Sequence, residues 1–182
     1  MAKYTVDIVN GSGSQALPKG TYTVTAAAEG YSGALDPSTF TAGTSEGSQA
    51  FTIEATGTLT LQVNETGAEG GTPITEGAFL RCNSDGSVTY GEAKPIGETG
   101  VCTFDHVPFG TAEAPVTFYV RQQTSDKTHN LKEEVVAISM AAQTQSEFVQ
   151  NTPAALQSFT FADANYSGLA VDGSLTFDGP QT

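Results

Sequence analysis

Tryptophan is absent from this sequence of 182 residues, and only seven basic residues stand against twenty acidic ones. The resulting net charge of −13 repels phosphate backbones and anionic lipid headgroups, so we expect no nucleic-acid partner. No run approaches the roughly 20 apolar residues that cross a bilayer, and the N-terminus has no signal-peptide core, so we expect no membrane insertion. The two cysteines and two histidines do not have zinc-binding spacing, and we expect no metal or other cofactor.

Short runs of alternating apolar and polar residues dominate the sequence. YTVDI (4–8) and LTLQV (59–63) show the period of two that is typical of strands with one face in water. Residues 130–150 also contain helix formers, but the β-branched VVAIS within them favours strands. The other strand-like runs, separated by turn residues, are GTYTVTA, QAFTIEA, AFLRC, SVTYG, GVCTF, VTFYVRQ, EEVVAISM, SEFVQ, QSFTFA and GSLTF. The sequence therefore predicts an all-β fold.

Two Pro-x-Gly corners suggest that one unit occurs twice. Pro18 and Gly20 lie in LPKGTYTV, and Pro108 and Gly110 follow the strand-like run CTFDH. Proline fixes φ where a strand ends, and glycine two residues later permits a tight turn. We therefore predict that these four residues form structural corners of a degenerate repeat. We also predict that both glycines adopt backbone conformations that other residues enter with difficulty.

Residues 57–111 resemble the collagen-adhesin B-type (Cna-B or SpaA-like) modules of bacterial surface proteins. The resemblance rests on an opening G-x-L-x-L strand (GTLTL), a Gly-Ala strand (GAFLRC) and the strand with its corner, GVCTFDHVPFG. LPKGTYTV matches the later part of the same pattern. The resemblance implies prealbumin-type, immunoglobulin-like β-sandwiches that serve as stalks, spacers or adhesive modules. Related sandwiches decorate phage capsids and tails.

Many modules of this family carry an internal bond between a lysine and an asparagine or aspartate. The opening strand has Gln62 and Asn64 where the resemblance implies a lysine, so the crosslink lacks its nucleophile there. Lys3 lies on the polar face of the first predicted strand, where an exposed charge is the simpler interpretation. We expect no such crosslink.

Two patterns weakly match catalytic sites. GTSEG at 43–47 fits the G-x-S-x-G nucleophile elbow, but that motif needs a strand, a turn and a helix within an α/β sheet. Asp105 and His106 are adjacent on a predicted strand, so we expect them on opposite faces and not in one catalytic relay. We expect no catalytic residue and no enzymatic activity.

Two loops offer oxygen atoms that calcium prefers. NSDG (83–86) and DANYSG (163–168) are short clusters, but neither has the twelve-residue spacing of a calcium loop, and Asx turns explain both. His129, in SDKTHN, is expected to be an ordinary loop residue. We therefore predict no metal requirement.

Cys82 and Cys102 lie on AFLRC and GVCTF, two strands that can pair within one module. A disulfide between them would close a loop of about 20 residues and contribute roughly 3 kcal/mol. Cytoplasmic synthesis favours reduced thiols, whereas release into oxidising surroundings favours oxidation. Two alternatives therefore stay open, a disulfide and a pair of buried free thiols.

The predicted strands divide the chain unevenly. Residues 57–151 suffice for one sandwich, whereas residues 1–56 are short of strands. The segment 152–182 contains two predicted strands after Pro153, and we expect them to complete the N-terminal unit in the same chain or in a neighbouring copy. We predict two immunoglobulin-like or prealbumin-like β-sandwich modules with a C-terminal strand segment.

These features favour a non-enzymatic structural protein. The leading hypothesis is a bacteriophage virion surface component, a capsid decoration or head-fibre protein with an outward-projecting module, because the chain is acidic, begins with a plain Met1 and lacks export signals. The alternative is a fragment of a Gram-positive cell-surface adhesin or pilin. The expected partners are copies of itself or a capsid or tail lattice, and host-surface glycans or proteins. A carbohydrate-binding module of an enzyme is disfavoured because tryptophan is absent and the tyrosines show no spacing of a sugar platform.

Overall fold

The computed structural model describes residues 2–9 and 11–177 of the chain. All regular structure in these ranges is β-structure, which confirms the all-β prediction, and no helix within them is able to cross a membrane. Residues 130–150 form strands and not the competing helix. In chain order the strands are β1 (Gly20–Thr23), β2 (Leu35–Asp36), β3 (Thr39–Ala42), β4 (Thr52–Ile53), β5 (Gly57–Asn64), β6 (Gly77–Cys82), β7 (Thr89–Pro95), β8 (Val101–Val107), β9 (Val116–Ser125), β10 (Val136–Met140) and β11 (Thr144–Gln150).

Strands β5 to β11 form a sandwich of two sheets. One sheet has four strands in the order β10-β9-β6-β7, and the other has three in the order β11-β5-β8. Neighbouring strands are antiparallel except β5 and β11, which are parallel. The first and last strands of the sandwich are therefore direct neighbours. The other edge of each sheet is formed by β7 or β8.

Alternation along the strands places every second side chain between the two sheets. In β5, Leu59, Leu61 and Val63 are almost inaccessible, whereas Thr58, Thr60 and Gln62 between them are partly exposed. Truncation of one such leucine to alanine typically costs about 2–5 kcal/mol. Both sheets and their connections supply the rest of the core, which consists of Ile74, Phe79, Ile96, Cys102, Phe104, Val107, Phe118, Val120, Ile138, Met140 and Val149.

The residues before β5 form two small ladders and not a second sandwich. β1 pairs with β3, and β2 pairs with β4, both antiparallel. The strand predicted at 4–8 does not form, and among residues 2–9 only Val9 makes a bridge, to Ser12. Tyr4, Val6 and Ile8 are all exposed, and no neighbouring strand pairs with the backbone of this segment. This strand prediction is wrong.

The segment after Pro153 does not form its two predicted strands either. Residues 154–177 contain one isolated bridge, between Ala162 and Ala170, and no strand. Their apolar side chains lie largely in solvent, as Leu156 at 94% exposure shows. Within the described residues this segment makes no backbone pairing with the N-terminal ladders. Completion of the N-terminal unit in a neighbouring copy stays a prediction.

The two Pro-x-Gly corners are not equivalent. Pro108 is buried directly after β8, whereas Pro18 is exposed and precedes β1 without a strand before it. Neither Gly20 nor Gly110 has a positive φ, so the predicted conformational restriction is wrong for both. The repeat is therefore not reproduced in the fold.

At one of these corners glycine is necessary because a side chain has no room. A Cβ atom at Gly110 would overlap the backbone carbonyl of Ala114, across the tight turn that follows β8. A Cβ at Gly20 would meet only the ring of Tyr22, at 3.9 Å. Glycine is therefore needed at position 110 because the backbone of Ala114 lies too close for a Cβ atom, and not because of the backbone angle φ.

Gly110→Ala is expected to lower the free energy of unfolding by about 1–3 kcal/mol, since the added methyl group forces the Ala114 carbonyl away. Gly20→Ala is the matched control and should change it by less than about 0.5 kcal/mol. Urea unfolding followed by circular dichroism measures both values. Indistinguishable transition midpoints for the two variants would contradict the prediction.

Candidate functional site

The serine of the GTSEG motif lies in an exposed loop. Residues 43–47 connect β3 with β4, and Ser45 is open to solvent. The described chain continues from this loop into a strand and not into a helix. The motif therefore lacks the strand–turn–helix arrangement that a nucleophile elbow requires.

The two oxygen-rich loops are Asx turns, as predicted. Asp85 Oδ1 accepts a hydrogen bond from the backbone N–H of Ser87 at 2.8 Å. Hydrogen bonds from Ser87 lower the pKa of Asp85. In the other loop, Asp163 Oδ1 accepts from the N–H groups of Asn165 and Tyr166 at 2.7 and 3.0 Å. The described residues hold no group of three His, Cys, Asp or Glu side chains arranged as metal ligands, and the absence of a metal requirement stays a prediction.

His129 connects a loop to the end of β5. Its Nδ1 lies 2.8 Å from Asp126 Oδ1, and its Nε2 lies 3.4 Å from Glu65 Oε1. Burial opposes ionisation of Asp126, but hydrogen bonds from His129 and Thr128 outweigh it and lower the pKa of this carboxyl. The backbone around His129 also bridges to Pro153. His129 is thus a half-buried structural clamp that fixes where the chain leaves the sandwich, and the sequence indicated only a loop.

Cys82 and Cys102 are buried free thiols in the structure. They lie on β6 and β8, which belong to different sheets and do not pair. Cys102 Sγ donates to the carbonyl of Lys94 at 3.4 Å. Burial raises the pKa of Cys102 to about 11 and also raises that of Cys82, so both stay protonated near neutral pH. Of the two alternatives left open by the sequence, the structure contains the free thiols.

Folding favours the protonated form of Cys102, because its pKa lies above the usual 9.0. This contribution to stability is complete below pH 9.0 and is lost as the pH rises through about 11. The parent protein should therefore lose more stability across this window than Cys102→Ala, which starts from a lower stability because of its cavity. Urea unfolding at several pH values measures both slopes. Parallel pH profiles for the two proteins would contradict the prediction.

Asp105 and His106 lie where β8 bulges. Thr58 pairs with Asp105 while Gly57 pairs with Val107, so His106 has no partner on β5. His106 has a φ of 57°, alone among the described non-glycine residues in having a positive value. A bulge interrupts the alternation of side chains along a strand. As a result Asp105 and His106 line the same cleft, and the expectation of opposite faces is wrong.

This cleft, of about 180 Å³, opens between the edge strands β7 and β8. Phe104 and Phe118 are its buried aromatic members and meet edge to face, with ring centroids 5.6 Å apart. The guanidinium carbon of Arg81 lies 5.2 Å from the centroid of Phe118 and 5.6 Å from that of Tyr90. Both distances fall within the range of cation–π contacts. The remaining lining residues are Gly91, Glu92, Lys94, Asp105 and His106.

The cleft holds one histidine among charged and aromatic side chains, and the described residues that line it include no serine, threonine or cysteine. Nδ1 of His106 lies 3.3 Å from the carbonyl oxygen of Ala55, which positions the ring against the backbone. The cleft instead combines aromatic surfaces, cations and carboxylates, a set suited to a small polar ligand.

Most of this cleft was not predictable from the sequence. Arg81 belongs to no recognisable motif, and Tyr90 shows no sugar-platform spacing with the other tyrosines. The lining residues come from four strands that are distant in sequence, and no local motif connects them. An arginine next to a predicted buried cysteine, in FLRC, was the one available signal, because a charge at the end of an apolar strand needs a partner.

No protein-family model matches the chain, and no curated protein matches it in sequence. Among solved structures, GBS52, the minor pilin of Streptococcus agalactiae, aligns with a TM-score of 0.47 and 9% identity over 81% of this chain and 66% of that one. BcpA, the major pilin subunit of Bacillus cereus, aligns with a TM-score of 0.40 and 16% identity over 58% of this chain and 32% of that one. The Bacillus anthracis TIE protein aligns with a TM-score of 0.41 and 12% identity over 59% of this chain and 18% of that one.

The structural neighbours are thus Gram-positive pilin and adhesin modules, at low TM-score and low identity, as the resemblance of residues 57–111 implied. The chain spans 18% of the TIE protein and 32% of BcpA. With TM-scores below 0.5, these likenesses carry no argument about what this chain binds or assembles with.

Proposed function

We propose that this chain is a non-enzymatic, load-bearing module of a bacterial surface protein of the adhesin or pilin kind. The observation that carries the proposal is the parallel pairing of the first and last strands of the sandwich. Seven residue pairs join β5 to β11, from Thr58 with Thr144 to Asn64 with Gln150.

Parallel pairing places the two chain connections at opposite ends of the sandwich. The chain enters β5 at Gly57 and leaves β11 at Gln150, about 25 Å further along the strand direction. Tension through the flanking segments therefore slides β5 along β11. Sliding loads all the hydrogen bonds of the pair together, whereas peeling would break them one at a time. Such a module suits a stalk or spacer that transmits force.

Hydrogen bonds beyond the strand ends lengthen this pair. The N–H of Thr58 donates to the carbonyl of Gln143 at 2.7 Å, and the N–H of Asn151 donates to the carbonyl of Asn64 at 2.9 Å. The side chain of Asn151 is buried and donates to Ser125 Oγ at 3.0 Å. The exit of the chain is therefore anchored to both sheets. This anchoring prevents the end of β11 from fraying under load.

Single-molecule pulling tests the load-bearing role. With handles at residues 56 and 152, residues 57–151 of the full chain are expected to unfold at a high force, because the β5–β11 pair is sheared. With handles at residues 56 and 142, both attached at the same end of the pair, the same protein should unfold at a clearly lower force, because the strands are peeled apart.

The second geometry is the matched control, since its handle at the exposed residue 142 loads the same strand pair from one end. Thermal unfolding of both handle-bearing proteins verifies that the sandwich keeps its stability. Equal unfolding forces in the two geometries would refute the load-bearing role. A lower force with handles at 56 and 152 would refute it as well.

Exposed apolar side chains on the flanking segments favour a second candidate, a bacteriophage virion surface component. Such side chains invite cover by a neighbouring copy or by a capsid or tail lattice, and the net charge of −13 keeps the uncovered surface soluble. Immunoelectron microscopy with an antibody against residues 57–151 separates the candidates by labelling either the bacterial surface or phage particles. The exposed side chains are Tyr4, Val6, Ile8, Val9, Leu156, Phe159, Phe161, Tyr166, Leu169, Leu175 and Phe177.

Deletion of residues 154–182 is expected to abolish self-association or to make the protein insoluble, because a neighbouring copy then lacks the segment that we propose to cover the edges of the N-terminal ladders. Residues 57–151 expressed alone should stay folded and monomeric. Analytical ultracentrifugation and circular dichroism measure the two outcomes. A truncated chain that associates and melts like the parent would show that the segment is dispensable for assembly.

A further inference from the structure

We propose that the cleft between β7 and β8 binds a small carboxylate ligand that also carries hydroxyl groups, of the sugar-acid class, through the guanidinium of Arg81. This binding activity goes beyond the load-bearing role and does not depend on it. The two roles use opposite sides of the sandwich, since β5 pairs with β11 on one side and the cleft opens on the other.

Arg81 is held in place without using its hydrogen-bond donors. It makes no salt bridge with a described carboxylate, and its guanidinium donates to no described residue. The other arginine, Arg121, donates from Nη1 to the carbonyl of Gly86 at 3.1 Å. Contacts with the rings of Phe118 and Tyr90 orient the guanidinium of Arg81 and leave its N–H groups free. A carboxylate accepts two such N–H groups side by side.

The charged neighbours of Arg81 suit the rest of such a ligand. The cleft is also lined by Glu92 and Asp105, although neither pairs with Arg81. An ionised carboxylate only accepts hydrogen bonds, so these two side chains select ligand groups that donate, such as hydroxyls. Lys94 and His106 line the cleft as additional polar groups. A ligand with one carboxylate and several hydroxyls uses all of these groups.

The shape of the cleft fits one ring-sized ligand. The ring of Tyr90 is 49% exposed and forms an apolar wall against which the C–H face of a sugar ring can pack. The volume of about 180 Å³ accommodates a single small ring and not a folded partner. The positive φ of His106 at the bulge is the kind of backbone strain that concentrates at binding sites.

Titration of the full chain with sodium glucuronate tests the proposal. The chain has two arginines, so its Nε–H signals in ¹H–¹⁵N spectra report the cleft and an internal reference at the same time. We expect the Arg81 signal to shift saturably and the Arg121 signal to stay in place. Glucose, which lacks the carboxylate, and acetate, which lacks the hydroxyls, should each bind at least about tenfold more weakly.

Substitutions identify the groups responsible. Arg81→Lys keeps the charge but loses the planar fork and should weaken glucuronate binding about tenfold, and Tyr90→Ala should weaken it as well. For Arg81→Lys, which lacks the Arg81 signal, calorimetry measures the affinity, whereas Tyr90→Ala retains that signal. Arg121→Lys is the matched control and should bind like the parent, and thermal unfolding of each variant verifies its fold.

Three results would overturn the proposal. The first is the absence of a saturable Arg81 shift with glucuronate. The second is an affinity for glucose or acetate equal to that for glucuronate, which would show that the carboxylate or the hydroxyls are not recognised. The third is an unchanged affinity in a folded Arg81→Lys variant, which would place binding outside the cleft.

Discussion

The pairing of β5 with β11 on one side and β8 on the other is the interaction on which the rest of the structure depends. β5 is the only central strand of its three-stranded sheet, and it supplies Leu59, Leu61 and Val63 to the core. Loss of this strand would remove the core side chains and leave β8 and β11 without a common partner. The same placement makes the first strand of the sandwich a parallel neighbour of the last, so the chain enters and leaves the sandwich at opposite ends of one strand pair.

The opposite side of the sandwich is built differently because its two edge strands approach without pairing. β7 and β8 come close but belong to separate sheets, and the bulge at His106 turns two consecutive side chains toward the gap. The gap exposes the edge of the core at Phe118, and Arg81 covers that ring with its guanidinium. The flat face of the guanidinium packs against the apolar ring and covers it. Its N–H groups donate to no described residue, and this side of the sandwich lies away from the β5–β11 pair.

Most strands of residues 57–151 were predictable from the sequence because they have one buried and one wet face, whereas β7 has no buried residue. The same alternation at 4–8 and in QSFTFA near the C-terminus did not lead to strands. A period of two indicates which side chains avoid water. A strand also needs a neighbouring strand to pair with its N–H and C=O groups, and the local sequence does not specify that neighbour. The same limitation applies to Gly110, whose need for glycine comes from the carbonyl of Ala114 across the turn and not from its own φ.

The sequence by itself determined the all-β class, the acidic surface and the inward-facing residues of the central strands, because composition and alternation act residue by residue. Only the tertiary structure decided that β5 lies beside β11, that Cys82 and Cys102 lie in different sheets, and that His129 clamps Glu65 and Asp126. The cleft of Arg81, Tyr90 and Asp105 likewise exists only in the folded chain. These arrangements depend on strand order and on a one-residue shift of register, which are set by the packing of the whole core and which no short stretch of sequence specifies.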